Sequence, residues 1–376
     1  MTPRVPFNVP AVTGKEIESL CEAMSACHFA GGGAFTRRCS GILAETIGCC
    51  VAILTPSCTD ALEMCALLCD VGPEDEVIMP SYTFVSTASA FALRGARIVW
   101  CDIRPDTKNI DETLVEGLVT ERTKAIVAVH YAGVACEMDA LADICSRHGL
   151  MLIADAAQAI DCYYKGRPLA GLGDLATISF HDTKNIHCGE GGVLVVNNPA
   201  LVERAEFIRD KGTNRSQFIK GMVDKYTWVE LGSSFLMSEL QAAFLLPQLL
   251  NSTTINEKRL QHWAQYYRTL AGFVPMDALP IVPDYCRHNA HMFYIMLDDL
   301  DERGRMIEHL AQAGVSAYFH YLPLHEAPYW RGKYSGLSLP VTKRTAECLL
   351  RLPMFRDLDD EQIAYVCQSV RNFKAW

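Results

Sequence analysis

Short apolar runs recur along the first two-thirds of the chain with longer helical patterns between them, and this rhythm limits the possible folds more than any other feature. The runs fall at 51–55, 76–79, 97–101, 125–129, 151–154, 177–180 and 192–196. Several lack the polar alternation of a sheet with one wet face, as strands covered on both sides do. Residues 59–69, 84–93, 137–148 and 200–211 carry apolar side chains at helical spacing, and turns such as Val71-Gly72-Pro73 and Arg94-Gly95-Ala96 close them. Strands joined through helices make parallel sheets. The expectation is an α/β large domain over 1–250, with a mostly parallel sheet of those seven strands.

Near Asn251 the pattern changes. A long helix over 255–270 leads to a stretch containing Pro275, Pro280 and Pro283. A strand at 292–297, a helix at 301–313, a strand at 315–319 and helices at 342–351 and 359–372 follow. This predicts a smaller α+β domain over 251–376, against which the N-terminal segment can pack. Two domains suit 376 residues at roughly 150 residues each.

Composition excludes several classes of function. No stretch approaches the roughly 18 consecutive apolar residues of a membrane span. Lys and Arg number 34 against 44 Asp and Glu, a net charge of −10, which argues against an extended nucleic-acid footprint. Sixteen cysteines occur without a Cys-x-x-Cys pair, so free thiols are expected rather than staples or a metal site. The start, MTPRVPFNVP, has neither an apolar signal core nor an Arg-rich amphipathic stretch, which reads as cytoplasmic.

The chemistry begins with Met151-Leu-Ile-Ala-Asp155-Ala-Ala-Gln158, an apolar strand that delivers a carboxylate at its C-terminal end, where ligand sites of open α/β sheets gather. Alone, Asp155 reads equally well as a helix N-cap. Twenty-nine residues on, Ser179-Phe-His-Asp-Thr-Lys184-Asn-Ile-His-Cys-Gly189-Glu-Gly191-Gly192 displays a lysine on a loop among small residues. Such a lysine can bond a carbonyl carbon as a Schiff base if its surroundings lower its pKa. The third part is Leu54-Thr55-Pro56-Ser57-Cys58-Thr59-Asp60, strand into helix, whose free N–H groups suit a phosphate. Lysine, strand-end carboxylate and phosphate cradle are together what pyridoxal phosphate (PLP) requires. Phe84, in the run Pro80–Thr87, lies just beyond another strand and could stack on a flat ring.

The order TPSCTDAL, PSYTF, DAAQA, SFHDTKN and GEGG resembles the DegT-type sugar-nucleotide aminotransferases, of PLP fold type I, over essentially the whole chain. The longer runs PFNVP, FTRRC, EVIMPSYTFVSTA, HYAGVACEMD, KGTNRSQF, DKYTW and LGSSFLMSELQAA resemble a branch of that family acting on dTDP-linked keto sugars. The resemblance implies that Lys184 is the Schiff-base lysine and proton carrier and that Asp155 pairs with the pyridine nitrogen. It further implies that Gln158 contacts the cofactor hydroxyl, that Phe84 stacks on the ring, and that Ser179 with Ser57, Cys58 and Thr59 holds the phosphate. Where many relatives carry a Gly-x-Asn-aromatic-Arg run from a partner subunit, this chain reads Gly232-Ser-Ser234-Phe-Leu236, so Ser234 is the candidate there. The loop Lys184–Gly189 is one residue shorter than the glycine-rich version in the branch it resembles.

For the sugar nucleotide, Lys211, Arg215, Lys225 and Tyr226 gather cations and donors, and His320 and His325 lie in a segment similar to one near the family's active site. The implied reaction moves an amino group from L-glutamate to C4 of dTDP-4-keto-6-deoxy-D-glucose, in a homodimer with shared sites. Amination at C3, the opposite C4 configuration, a PLP-binding regulator without turnover and a cysteine-based sulfur-transfer enzyme are the alternatives. A lysine at 184 speaks against the dehydratases of the family, which carry His there.

Overall fold

The computed structural model describes residues 3–334, 336–374 and 376. Seven strands form the central sheet: β1 (Val51–Thr55), β2 (Glu76–Pro80), β3 (Arg97–Cys101), β4 (Thr123–Val129), β5 (Met151–Asp155), β6 (Leu175–Ser179) and β7 (Gly192–Val196). Their spatial order is β1-β7-β6-β5-β4-β2-β3, and β7 alone runs antiparallel to its neighbours. The expected mostly parallel α/β sheet is present, with strand ends shifted by a residue or two.

Alternation within the strands explains why they read as continuous apolar runs. Leu152 and Ala154 face one core, shared with helices Ala34–Ile47, Met138–His148 and Glu239–Leu250. Ile153 faces the other, shared with helices Cys58–Leu68, Val85–Ala92 and Val202–Arg209. Both faces are therefore dry, and polar alternation has no place.

A second sheet of three antiparallel strands, β8 (Phe293–Met296), β9 (Tyr318–Phe319) and β10 (Leu349–Leu352), has β10 in the middle. It packs with helices Ser252–Leu270, Leu300–Gln312 and Asp360–Arg371 around its own core, which includes Val5. The N-terminal segment runs along this unit: Val5 pairs with Val315, and Met354 N donates to the Phe7 carbonyl. The helix expected over 342–351 is corrected. It spans Pro340–Cys348, and the chain then turns extended as β10. Periodicity misses this because Leu349, Leu350 and Leu352 are buried on both sides of a short strand. The strand expected over 315–319 shortens to Tyr318–Phe319, with Val315 engaged by Val5 instead.

Two helices absent from the sequence reading, Glu16–Ser25 and Ala34–Ile47, pack on helix Glu239–Leu250. The Ala34–Ile47 helix starts at Gly33 without a side-chain cap of its own. Its free N–H groups are met by the buried Glu239 carboxylate, which accepts from Gly33 N at 3.1 Å, Phe35 N at 2.9 Å and Thr36 N at 3.0 Å, and from the Thr36 hydroxyl. A remote acidic side chain thus satisfies a helix terminus that the local sequence leaves bare.

Candidate active site

Strands β1, β2, β4, β5 and β6 point the same way, so their C-terminal ends form one edge of the sheet. Ser57, Phe84, His130, Asp155 and Lys184 follow or end these strands and line one cavity of about 570 Å³, a size suited to a cofactor and a small substrate. Its far wall comes from the small unit, with His291, Met292, His320, Tyr321, Arg351 and Leu352, and Phe7 and Asn8 of the N-terminal segment complete it.

Lys184 sits on the 180–191 connection between β6 and β7. That connection is closed on itself by Phe180 N to the Gly191 carbonyl (2.8 Å), Asp182 N to the Gly189 carbonyl (2.8 Å) and Cys188 N to the Phe180 carbonyl (2.9 Å). The next residue is anchored, Asn185 donating to Asn256 Oδ1 at 2.8 Å and to the Asn289 carbonyl at 2.9 Å. His187 Nε2 lies 2.7 Å from the Ala11 carbonyl, tying the loop to the N-terminal segment. The backbone at Lys184 is therefore fixed. Burial lowers its ammonium pKa from the usual 10.5; Cys58 and Asp155 oppose that shift and Arg351 adds to it.

Asp155 is 5% exposed. Its Oδ2 accepts from the Thr87 hydroxyl at 2.7 Å and its Oδ1 from Ala157 N at 3.1 Å. Thr87 in turn lies 2.9 Å from the Thr83 hydroxyl. Burial raises the carboxyl pKa above 3.8, against the hydrogen bonds and the positive charge of Lys184. A buried carboxylate held by neutral donors awaits a cation.

The cradle forms because Ser57 caps helix Cys58–Leu68, accepting from Asp60 N at 3.1 Å and donating to Asp60 Oδ2 at 2.9 Å. That helix start leaves N–H groups free for an anion. A Cβ on Gly192 would stand 2.5 Å from Ser57 O and Cys58 N, so only glycine lets β7 approach the turn this closely. The Cys58 thiol is pushed up to about 12, chiefly by burial, and stays protonated at neutral pH. Gln158 is pinned at both ends: Oε1 accepts from Ala132 N at 2.7 Å and Nε2 donates to the Tyr321 hydroxyl at 2.9 Å. His130 is fully buried, its Nδ1 accepting from Cys136 N at 3.2 Å, and burial lowers its pKa to about 3. It stays a neutral donor through Nε2, for which no partner exists among the described residues.

Of the residues picked from sequence, Ser57, Cys58, Thr59, Phe84, Asp155, Gln158, Ser179, Lys184 and His320 line this cavity. Ser234, Lys211, Arg215, Lys225 and Tyr226 do not. Lys211 and Arg215 both pair with Asp210, at 3.0 and 3.2 Å, and the exposed Ser234 forms a backbone bridge with Asp210, which is itself buried. Lys225 and Tyr226 are exposed. His325 also lies outside the cavity lining, its Nδ1 2.7 Å from the Ser81 hydroxyl. Thr87, His130, His291, Tyr321 and Arg351 are lining residues that the sequence reading missed. Thr87 stood within a quoted run without a role, and Arg351 was hidden by the helix expected over its strand.

The site's parts fit pyridoxal phosphate: a carboxylate without a cationic partner, a lysine of lowered pKa and a helix N-terminus facing one cavity. Comparison with known proteins agrees. The model of the DegT/DnrJ/EryC1/StrS aminotransferase family matches residues 10–371. The chain is similar to DesV of S. venezuelae, solved in complex with a ketimine intermediate, at 30% identity and a TM-score of 0.90, covering 99% of each chain. It is similar to PseC of Helicobacter pylori, an aminotransferase involved in the biosynthesis of pseudoaminic acid, at 25% identity and a TM-score of 0.89, covering 98% of each. The PLP form of the Streptococcus pneumoniae protein Spr1654 matches at 25% identity and a TM-score of 0.89, covering 98% of each.

Proposed function

The chain belongs to the DegT/DnrJ/EryC1/StrS aminotransferase family and uses pyridoxal phosphate, and from that premise we propose that it transfers the amino group of L-glutamate to C4 of dTDP-4-keto-6-deoxy-D-glucose. The products are dTDP-4-amino-4,6-dideoxy-D-galactose and 2-oxoglutarate. The observation that carries transamination is the meeting of Lys184 and Asp155 on one cavity wall. The choice of sugar rests on the long runs quoted above, which resemble the dTDP-4-amino-4,6-dideoxygalactose transaminase of common-antigen synthesis.

Bound pyridoxal phosphate supplies a carbonyl carbon that receives the amine and a ring that withdraws electrons from the donor Cα. Asp155, ionised once a pyridinium faces it, holds the ring nitrogen protonated, and Thr87 with Ala157 N fixes the carboxylate's direction. The N–H groups of Cys58 and Thr59, with Ser179, bind the phosphate, since the Ser57 hydroxyl is already committed to Asp60. Phe84 would lie against the ring, and Gln158, locked by Ala132 and Tyr321, would meet the ring hydroxyl. Burial lowers the ammonium pKa of Lys184, so it gives up its proton more readily than an exposed lysine does. Its amine would carry the proton that leaves the donor Cα and would return one in the opposite direction when the sugar is aminated.

A homodimer suits this reading. Phe84 lines the cavity yet is 58% exposed. Phe218, Ile219, Met222, Tyr226, Trp228, Val229 and Leu231 are all exposed apolar side chains within one stretch. These side chains are the face we assign to a second copy, with the exposed Ser234 close by in the chain as the candidate phosphate contact across it. The test is incubation with pyridoxal phosphate, L-glutamate and dTDP-4-keto-6-deoxy-D-glucose, followed by NMR of the sugar. An axial amine at C4 is expected; an amine at C3, an equatorial C4 amine or an unchanged sugar contradicts the assignment.

A further inference from the structure

We propose that His291 accepts the hydrogen bond of the sugar's C3 hydroxyl, beside the carbon that receives the amine. The inference rests on the function proposed above and deepens it by assigning a substrate contact to the wall opposite the sheet edge. His291 lines the same cavity as Lys184. Its ring is oriented by a chain of buried amides. Asn256 Nδ2 donates to Asp161 Oδ2 at 2.9 Å, and Asn185 Nδ2 donates to Asn256 Oδ1 at 2.8 Å and to the Asn289 carbonyl at 2.9 Å. A backbone carbonyl can only accept, so the Asn185 amide has one orientation, with its Oδ1 3.0 Å from His291 Nδ1. That nitrogen therefore carries the ring proton. Asn185 and Asn256 are 2% and 5% exposed, so the chain is shielded from solvent.

The direction of this chain decides what His291 offers. The ring is neutral, because burial, with the positive charges of Lys184, Arg259 and Arg351 nearby, pushes its pKa well below 6.5. With Nδ1 protonated, Nε2 is a bare acceptor, and it has no partner among the described residues. Arg259 fixes the backbone behind it, Nε donating to the Ala290 carbonyl at 3.1 Å and Nη2 to the His291 carbonyl at 2.6 Å. His320 on the same wall has no such definition: its Nδ1 lies 3.2 Å from the Tyr131 hydroxyl, which can donate or accept. The two substrates differ in what they can give to a bare acceptor. The carboxylates of L-glutamate only accept, and its amine goes to the cofactor. A 4-keto-6-deoxy hexose linked through C1 has free hydroxyls at C2 and C3 alone. Lys184 works at C4 and is joined in the chain to Asn185, the residue that holds His291, so the hydroxyl next to C4 is the one that meets Nε2.

The test measures binding of dTDP-6-deoxy-D-galactose to the holoenzyme by calorimetry. This ligand has a hydroxyl where the proposed product has its amine, so it binds without turnover. The native enzyme should bind its 3-deoxy form about 5- to 30-fold more weakly. His291→Asn keeps a donor for Asn185 Oδ1 and lacks the acceptor at the Nε2 position; H291N should bind the parent and the 3-deoxy ligand within about twofold of each other. Nitrogen-15 NMR of native holoenzyme labelled at histidine should find His291 neutral with its proton on Nδ1. A native enzyme indifferent to the C3 hydroxyl overturns the proposal, as does discrimination that persists undiminished in H291N, or a ring proton on Nε2. Native enzyme that shows the expected pattern yet leaves C4 of the keto sugar unaminated defeats the functional reading and leaves the His291 assignment standing.

Discussion

Replacing Asp155 with Asn should stabilise the cofactor-free protein and disable the enzyme. The side chain is 5% exposed, with two neutral donors and no cation held against it. An amide fits the same space: Oδ1 still accepts from Ala157 N, Nδ2 donates to Thr87, and the Thr87 hydroxyl turns to donate to Thr83, 2.9 Å away. Both hydrogen bonds survive, and the cost of burying a charge disappears, a gain of about 1–3 kcal/mol at pH 8. The pH dependence has a definite sign. Burial lifts the folded carboxyl pKa above 3.8, so the folded apoprotein holds this proton more tightly than the unfolded chain does. The native Asp therefore costs nothing below the ordinary carboxylate pKa, and the cost grows as pH rises toward the raised value. Urea unfolding of cofactor-free D155N should match the native chain at about pH 3.5 and exceed it at about pH 8. With cofactor bound the balance reverses, because the ring nitrogen loses its buried counter-charge at a cost of about 3–5 kcal/mol, or roughly 10²- to 5 × 10³-fold in kcat. A D155N protein less stable than native at pH 8, or one whose kcat stays within about threefold, would refute the assignment of Asp155 as a carboxylate waiting for a cation.

Glu239→Ala should destabilise the fold by about 2–5 kcal/mol in urea unfolding, because the N–H groups of Gly33, Phe35 and Thr36 lose their acceptor at once; a change below about 1 kcal/mol would mean that water replaces the carboxylate. Sedimentation should show a dimer, and Ile219→Glu combined with Trp228→Glu, at sites 68% and 72% exposed, should give an inactive, folded monomer. An active monomer would remove the shared-site reading.

The large sheet was legible because both of its faces are dry, so each strand appears as an unbroken apolar run such as Met151–Asp155 or Gly192–Val196. Residues that follow a strand in the chain, Asp155 and Lys184 among them, were legible for the same reason: sheet topology carries strand ends to one edge. Contributions from afar were not. Arg351 reaches the cavity from the small unit, and its strand follows directly on helix Pro340–Cys348, so helical spacing ran on through it. Helix Ala34–Ile47 depends on an acceptor more than 200 residues away, which no local cap signal could announce. Lys211 and Arg215 looked free in the sequence, yet Asp210 takes both.

Borohydride reduction of the holoenzyme followed by peptide mapping tests the central claim most directly, since it fixes covalently whichever lysine holds the cofactor. The pyridoxyl group should appear on Lys184 alone. Its recovery on another lysine, or an unlabelled Lys184 peptide from protein that carries cofactor, would contradict the account.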